Sequence, residues 1–168
     1  EAYFKVAKEN TRPFCVRSGE YCLKVYGTEF NLNTYDEENI EAVLVKGSVG
    51  FQANEAAPEK RLKVNQLGVA NSKAGTSVIQ DVDVTSYIAW KNHDLIFVNE
   101  ELESIMKKVS RWYDVNIIFE DEVSKAVRFN GNIPKYAELE KLLYVMEKTS
   151  DVRFRITDKT IRITKRKK

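Results

Sequence analysis

Glu101-Leu102-Glu103 and Asp114-Val115 return later in the chain as Glu138-Leu139-Glu140 and Asp151-Val152. The offset is constant: 138 against 101, and 151 against 114, are both 37 positions. Between the markers, Leu102, Ile105, Met106, Val109 and Trp112 keep to one face of a helix. Val115, Ile117 and Phe119 then alternate as a strand does. The second copy has Leu139, Leu142, Leu143 and Met146, followed by Val152, Phe154 and Ile156. A duplicated strand–helix–strand (βαβ) unit explains this pattern. Neither copy can bury its apolar stripe alone, so the two must pack together.

Working outward, Leu95-Ile96-Phe97-Val98 reads as the strand before the first helix, and Asn99 as its N-cap. Glu100, Glu101 and Glu103 fall at the positive end of that helix, with Lys107, Lys108 and Arg111 nearer the negative end. Val127 and Phe129 lead a strand that ends near Asn130-Gly131, where a bulge is expected. Pro134 is expected to open the second helix, because a helix start leaves that N–H unpaired anyway. Asp158-Lys159 turns the chain into a last strand containing Ile161 and Ile163. The expectation is two helices on one face of a small mixed sheet. Such sheets leave edges open, so Val127, Phe129, Ile161 and Ile163 are the candidate partner-binding edge residues.

The first half reads differently. Phe4–Val6, Phe14–Val16, Leu23–Val25, Phe30–Leu32 and Ile40–Val49 alternate apolar with polar. Turn signals separate them at Arg12-Pro13, Ser18-Gly19, Tyr26-Gly27-Thr28, Asp36-Glu37-Glu38-Asn39 and Lys46-Gly47-Ser48. Residues 53–60 read as a loop, two further strands are expected near Arg61–Val64 and Leu67–Ala70, and Val78–Val84 is again apolar-rich. The fold class is therefore α+β. An all-β domain of roll, sandwich or β-helix form spans 1–88, and the duplicated βαβ module spans 89–168.

Chemistry is sparse. The 168 residues carry 27 basic and 25 acidic side chains, a net charge of +2, which gives no case for a nucleic-acid partner. Lys165-Arg166-Lys167-Lys168 reads as a solvated tail. His93 sits in a polar turn without a second histidine or cysteine near it, so no metal or cofactor is expected. Asp36-Glu37-Glu38 and Glu120-Asp121-Glu122 read as solvated turns rather than acid–base pairs or calcium loops. Trp112 continues the buried helical stripe, and Trp90 falls at the link between the two halves.

If Ser18-Gly19 were a two-residue hairpin turn, Cys15 would face Cys22 directly, making them a candidate disulfide. Two free thiols are the alternative, and both readings stand open here. No apolar run approaches the ~18 residues of a membrane span. The strand-like start at Glu1-Ala2-Tyr3-Phe4 is read as a cut within a longer protein, with targeting and membrane segments expected upstream. A small repeat with no reactive constellation reads as a docking module, not an enzyme.

Several segments, taken in order, resemble the periplasmic part of FecR-like sigma-factor regulators of the Bacteroidetes type. They are Glu1–Val6, Arg12–Val16, Val25-Tyr26-Gly27-Thr28-Glu29-Phe30-Asn31-Leu32 and Val43–Val49. Trp90-Lys91, Asn99–Leu102, Arg111–Val115 and Phe129-Asn130-Gly131 continue the likeness through the second half. The family's Pro-Gly turn is replaced here by Leu62–Gly68, and the cysteine pair is unusual. The resemblance implies the periplasmic, soluble part of a single-pass inner-membrane anti-sigma factor. Its C-terminal domain would be similar to the signalling domains of TonB-dependent outer-membrane transducers. The implied partners are such a transducer's signalling domain and, through a cytoplasmic segment outside this chain, an extracytoplasmic-function sigma factor. Contact with the membrane would run only through an upstream helix. A periplasmic glycan- or peptidoglycan-binding module is the alternative, favoured if exposed aromatics line one cleft.

Overall fold

The structure is a computed structural model, and it describes residues 1–8, 14–19, 21–25, 27–36, 38–53, 56–71, 73–134 and 136–166. The expected turn at Arg12-Pro13 lies outside these residues, as do Tyr26, Glu37 and Lys167-Lys168 of the other segments named above. The chain is α+β and divides into two compact units, Glu1–Ile88 and Ala89–Lys168.

The first unit consists of two antiparallel sheets. Strands β1 (Ala2–Lys5), β4 (Glu29–Asn33), β5 (Asn39–Lys46), β8 (Gln66–Asn71) and β9 (Thr76–Asp81) form one, in the order β1-β4-β5-β8-β9. Strands β2 (Phe14–Ser18), β3 (Tyr21–Val25), β6 (Val49–Gln52) and β7 (Lys60–Leu62) form the other, in that order. One core takes side chains from both. Leu23, Val25, Val49, Phe51 and Leu62 come from the smaller sheet, and Phe30, Leu32, Ile40, Ala42 and Leu44 from the larger. Alternation does the sorting: on β3, Tyr21, Leu23 and Val25 are buried while Cys22 and Lys24 are half-exposed.

Two glycines let the sheets close on each other. A Cβ on Gly68 would come within 2.9 Å of Leu62 and 3.0 Å of Phe51, across the core. Gly47 has φ +92, and a Cβ there would lie 2.6 Å from the Gly27 carbonyl oxygen. Beside it, the buried Thr28 hydroxyl donates to the Ser48 carbonyl at 2.8 Å. The Gly27-Thr28 and Gly47-Ser48 turns, far apart in sequence, therefore brace one another. The unit ends in a short helix, α1 (Val84–Ile88), where the reading above expected no element. Asp83 accepts from the Thr85 amide at 2.9 Å just before it. A five-residue helix carries too little periodicity to stand out.

The β2–β3 hairpin corrects one expectation. Ser18 pairs with Tyr21, so the turn begins at Gly19, one residue later than expected, and Gly19 takes φ +57. Moving the turn by one residue changes each pairing by two. The same side chains face the core, but Cys15 now opposes Lys24 and Cys22 opposes Arg17. Diagonal neighbours keep their Cβ atoms roughly 7–8 Å apart, whereas a disulfide needs roughly 4 Å. Cys15 and Cys22 are accordingly free thiols.

The second unit begins with a 3-10 turn (Ala89–Asn92) and continues β10 (Asp94–Glu101), α2 (Leu102–Tyr113), β11 (Asn116–Phe119), α3 (Glu122–Lys125), β12 (Arg128–Pro134), α4 (Leu139–Lys148), β13 (Val152–Thr157) and β14 (Thr160–Lys165). The strand–helix–strand order is indeed repeated, but a single mixed sheet is not what forms. Strands β10 and β12 make an antiparallel pair of their own. Strands β11, β14 and β13 make a second sheet in that order, with β11–β14 parallel and β14–β13 antiparallel. Each helix thus carries the chain from one sheet to the other. The core joins Leu95, Phe97 and Phe129 of the first sheet, Val152, Ile161 and Ile163 of the second, and the apolar faces of α2 and α4.

The repeat marks the helix starts directly. Glu101 (φ −69, ψ 141) and Glu138 (φ −66, ψ 132) are the N-cap residues, one in each copy. Asn99 is therefore not the cap. It is the left-handed residue (φ 49) of a bulge in β10, where the register shifts between Phe97 and Glu100. The expected bulge at Asn130-Gly131 belongs to the opposite strand for the same reason: asparagine tolerates that conformation, and the Asn99 amide donates to the Asn130 side chain at 2.8 Å. Pro134 closes β12 opposite Asp94 instead of opening α4, since a strand end tolerates its missing N–H too.

Candidate interaction surface

Edges decide where this unit can receive another chain. Strand β14 is the centre of its sheet, hydrogen-bonded to β11 on one side and β13 on the other. Ile161 and Ile163 are fully buried on it, so they are core residues and not an edge, contrary to the sequence expectation. Strand β14 has two strand partners, β11 and β13, and the sequence of a single strand does not reveal how many neighbours it has. Phe129 belongs to the other sheet, on β12, whereas Val127 lies just before that strand and is not part of an edge, contrary to the sequence expectation. Phe129 pairs with Glu100 and is 8% exposed. The Val127 carbonyl accepts from the Leu102 amide at 2.8 Å, satisfying a donor at the start of α2. Strands β10, β12, β11 and β13 each have a strand partner on one side only among the described residues.

Strand β13 differs from the other three in charge. Phe154 points to the core side, while Arg153 and Arg155 are exposed between its apolar residues. Arg155 lies directly opposite Arg162 of β14. A cavity of about 320 Å³ follows the strand, lined by Arg153, Phe154, Arg155, Arg162, Glu120, Glu147 and Thr164. Its two carboxylates are already engaged: Glu120 with Arg162 at 3.6 Å, and Glu147 with Arg166 at 3.6 Å. Among the described residues, Arg153 and Arg155 make no ion pair. The sequence reading passed over these arginines because it looked for reactive groups. The signal was there in Arg153-Phe154-Arg155-Ile156, a strand whose polar positions are both basic.

The remaining groups of chemical interest are structural. Asp121 caps α3 by accepting from the Ser124 amide at 2.7 Å, and it also accepts from the Lys165 amide at 2.6 Å. These bonds, the Lys165 one first, hold its carboxyl below the usual aspartate range. Asp114 is likewise held down by its hydrogen bond and ion pair with Lys159. Asp36 accepts from the Glu38 and Asn39 amides, so that acidic run is a turn. His93 occupies a left-handed position (φ 65) with its ring 5.7 Å from Tyr136. Burial raises the Tyr113 phenol, which donates to the Ala137 carbonyl at 2.8 Å. Trp112 is half-buried against the core, and Trp90 is half-buried in the 3-10 turn. Among the described residues, no group of three or more His, Cys, Asp or Glu side chains is set to hold a metal ion, and no helix is long and apolar enough to cross a membrane.

With this geometry in place, comparison with known proteins shows what the chain is similar to. Residues 94–163 match the family model described as FecR, C-terminal. Two crystal structures of a putative anti-sigma factor from Parabacteroides distasonis, at 1.65 and 2.50 Å, share the fold, with TM-scores of 0.82 and 0.81. Each is 23% identical to this chain, and the alignments cover 98% of it and 77% and 76% of theirs. No curated protein matches the chain. The match to the FecR C-terminal family thus falls within the second unit, in a chain that shares its fold with the two crystal structures.

Proposed function

We propose that this chain is the periplasmic signal-relay part of a transmembrane anti-sigma factor. It receives a signal from the signalling domain of a TonB-dependent outer-membrane transducer and thereby controls an extracytoplasmic-function sigma factor. The observation that carries the reading is the FecR C-terminal match, which falls on a unit built for contact and not for chemistry. Its apolar side chains converge on one core, its lowered carboxyls serve caps and ion pairs, and its outer strands offer backbone edges. The cavity along β13 is lined mainly by charged side chains, which favours a protein partner over a sugar.

Two measurements test the proposal. Titration calorimetry of the transducer's purified signalling domain into the 168-residue chain should give saturable binding. Deleting residues 89–168 from the whole regulator should abolish the inducer's effect on transcription from the sigma factor's promoter. Absence of binding, together with an unaltered response to inducer in the deletion strain, refutes the relay.

A further inference from the structure

We propose that β13 docks an extended acidic segment of the partner protein, strand against strand, with carboxylates at alternate positions meeting Arg153 and Arg155. The inference deepens the relay reading and rests on it for the partner being a protein.

Four observations converge on this strand. First, β13 is an outer strand, paired with β14 on one side alone, so its other side offers main-chain donors and acceptors. Second, its two exposed arginines are spaced two apart and therefore share a face, roughly 6.6 Å along the strand. A partner strand running alongside presents its own side chains at the same interval. Third, the arrangement is unfavourable for the free fold. Arg155 opposes Arg162 directly, and like charges in that position destabilise a strand pair. Fourth, the cavity's own carboxylates already serve Arg162 and Arg166, which leaves Arg153 and Arg155 for carboxylates from outside. A guanidinium holds a carboxylate by two parallel hydrogen bonds, so the geometry selects for acidic side chains as well as for charge.

The opposite face of β13 fixes the rest of the pattern. Phe154 is half-buried, and Ile156 is 38% exposed. The intervening residues of the incoming strand would lie beside these, so they are expected to be apolar. The occupant is thus a strand of alternating acidic and apolar residues. A nucleic acid fits less well, because Glu120 and Glu147 stand among the arginines and would repel a continuous polyanion.

The test uses the full 168-residue chain and a fluorescein-labelled synthetic peptide of alternating glutamate and valine, read by anisotropy. The glutamate peptide should bind, and added salt should weaken it. The Arg153→Glu/Arg155→Glu variant should lose about ten-fold in affinity, as expected for two exposed pairs. The same variant should gain affinity for a lysine–valine peptide, an exchange that an unfolded protein would not make. The proposal is overturned if a glutamine–valine peptide binds the wild-type chain equally well, if neither peptide binds, or if an oligonucleotide of matched charge binds as tightly. The transducer's signalling domain separates the two readings. Equal binding to wild type and double variant removes the arginine site and leaves the relay standing. Binding of the glutamate peptide without binding of that domain keeps the acidic-strand site and removes the transducer.

Discussion

The two copies of the repeat are related in sequence but not in burial, and truncating equivalent leucines measures the difference. Leu102 and Leu139 are the first residues of α2 and α4, 37 positions apart, each following a glutamate cap. Leu102 is fully buried, as are Ile105, Met106 and Val109 on the same helix. Leu139 is only half-buried, and α4 also exposes Tyr144 and Val145 at 61% and 57%. Leu102→Ala removes three carbons at about 0.8 kcal/mol each and leaves a cavity that rigid neighbours on two sheets fill poorly. The expected loss is about 3–4 kcal/mol. For Leu139→Ala, with its side chain already partly in water, the loss should be about 1–1.5 kcal/mol. Helix propensity separates leucine from alanine by a few tenths at most, so it cannot mask the gap.

The assay is urea unfolding followed by tryptophan fluorescence. Both tryptophans of the chain, Trp90 and Trp112, lie in Ala89–Lys168, so the signal reports that unit alone. At about 1 kcal/mol per molar urea, the midpoint should fall by about 3 M for Leu102→Ala and about 1 M for Leu139→Ala. A unit of this size has a total stability of about 4–12 kcal/mol, so the first variant sits near the limit of folding and the second well within it. Equal midpoint shifts would refute the argument, because they would mean that both copies contribute alike to one symmetric core.

Three further outcomes are expected. Asp121→Ala should destabilise the same unit by about 1 kcal/mol at neutral pH, as loss of a cap does. Because the Asp121 carboxyl is held below its usual 3.8, its contribution is complete above that value and disappears as pH falls through the lower folded value. The gap between wild type and variant in urea melts should therefore narrow in acid and not in base. Burial, then the hydrogen bond to Glu29, pushes the Tyr3 phenol up to about 12, so ultraviolet titration should show a step ionising near that value, and Tyr3→Phe should remove it. Its stabilising effect is present below the ordinary 10.0 and lost as pH rises through about 12. Cys15 and Cys22 should both react with a thiol reagent in the native chain, Cys15 faster because it is exposed. An intact mass two hydrogen atoms short of the reduced chain would contradict the observed register.

Much of this fold is legible in the sequence because alternation and helical spacing both survive in it. Of the apolar residues assigned to the helices, Leu102, Ile105, Met106, Val109, Leu142, Leu143 and Met146 are buried, while Trp112 and Leu139 at the stripe ends are half-buried. What the sequence hid were pairings. Nothing in Ile161 and Ile163 tells whether a strand has one neighbour or two, and the answer made them core. Nothing local distinguishes a turn at Ser18-Gly19 from one starting a residue later, and that single step separated the cysteines. Asn99 and Pro134 were misplaced because asparagine serves caps and bulges alike, and proline serves helix starts and strand ends alike. The repeat itself was the better guide, since its two glutamates mark both true helix starts.

The arginine strand was overlooked for a different reason. Local rules ask whether each residue suits its element, and an arginine on the solvent side of a strand satisfies them. The misfit exists only across strands, where Arg155 meets Arg162 and, among the described residues, only Arg162 has a carboxylate partner, Glu120. Consistency at every level is what makes a fold unique, and natural chains tend to break it where another task competes. Here the break is confined to the outward face of one edge, while the core face of the same strand, Val152 and Phe154, packs without conflict. If folding alone had set these positions, Arg155→Thr should stabilise the unit without altering partner binding. If docking set them, the same substitution should raise the urea midpoint and weaken the complex together, and only that paired outcome is consistent with a surface kept for a partner.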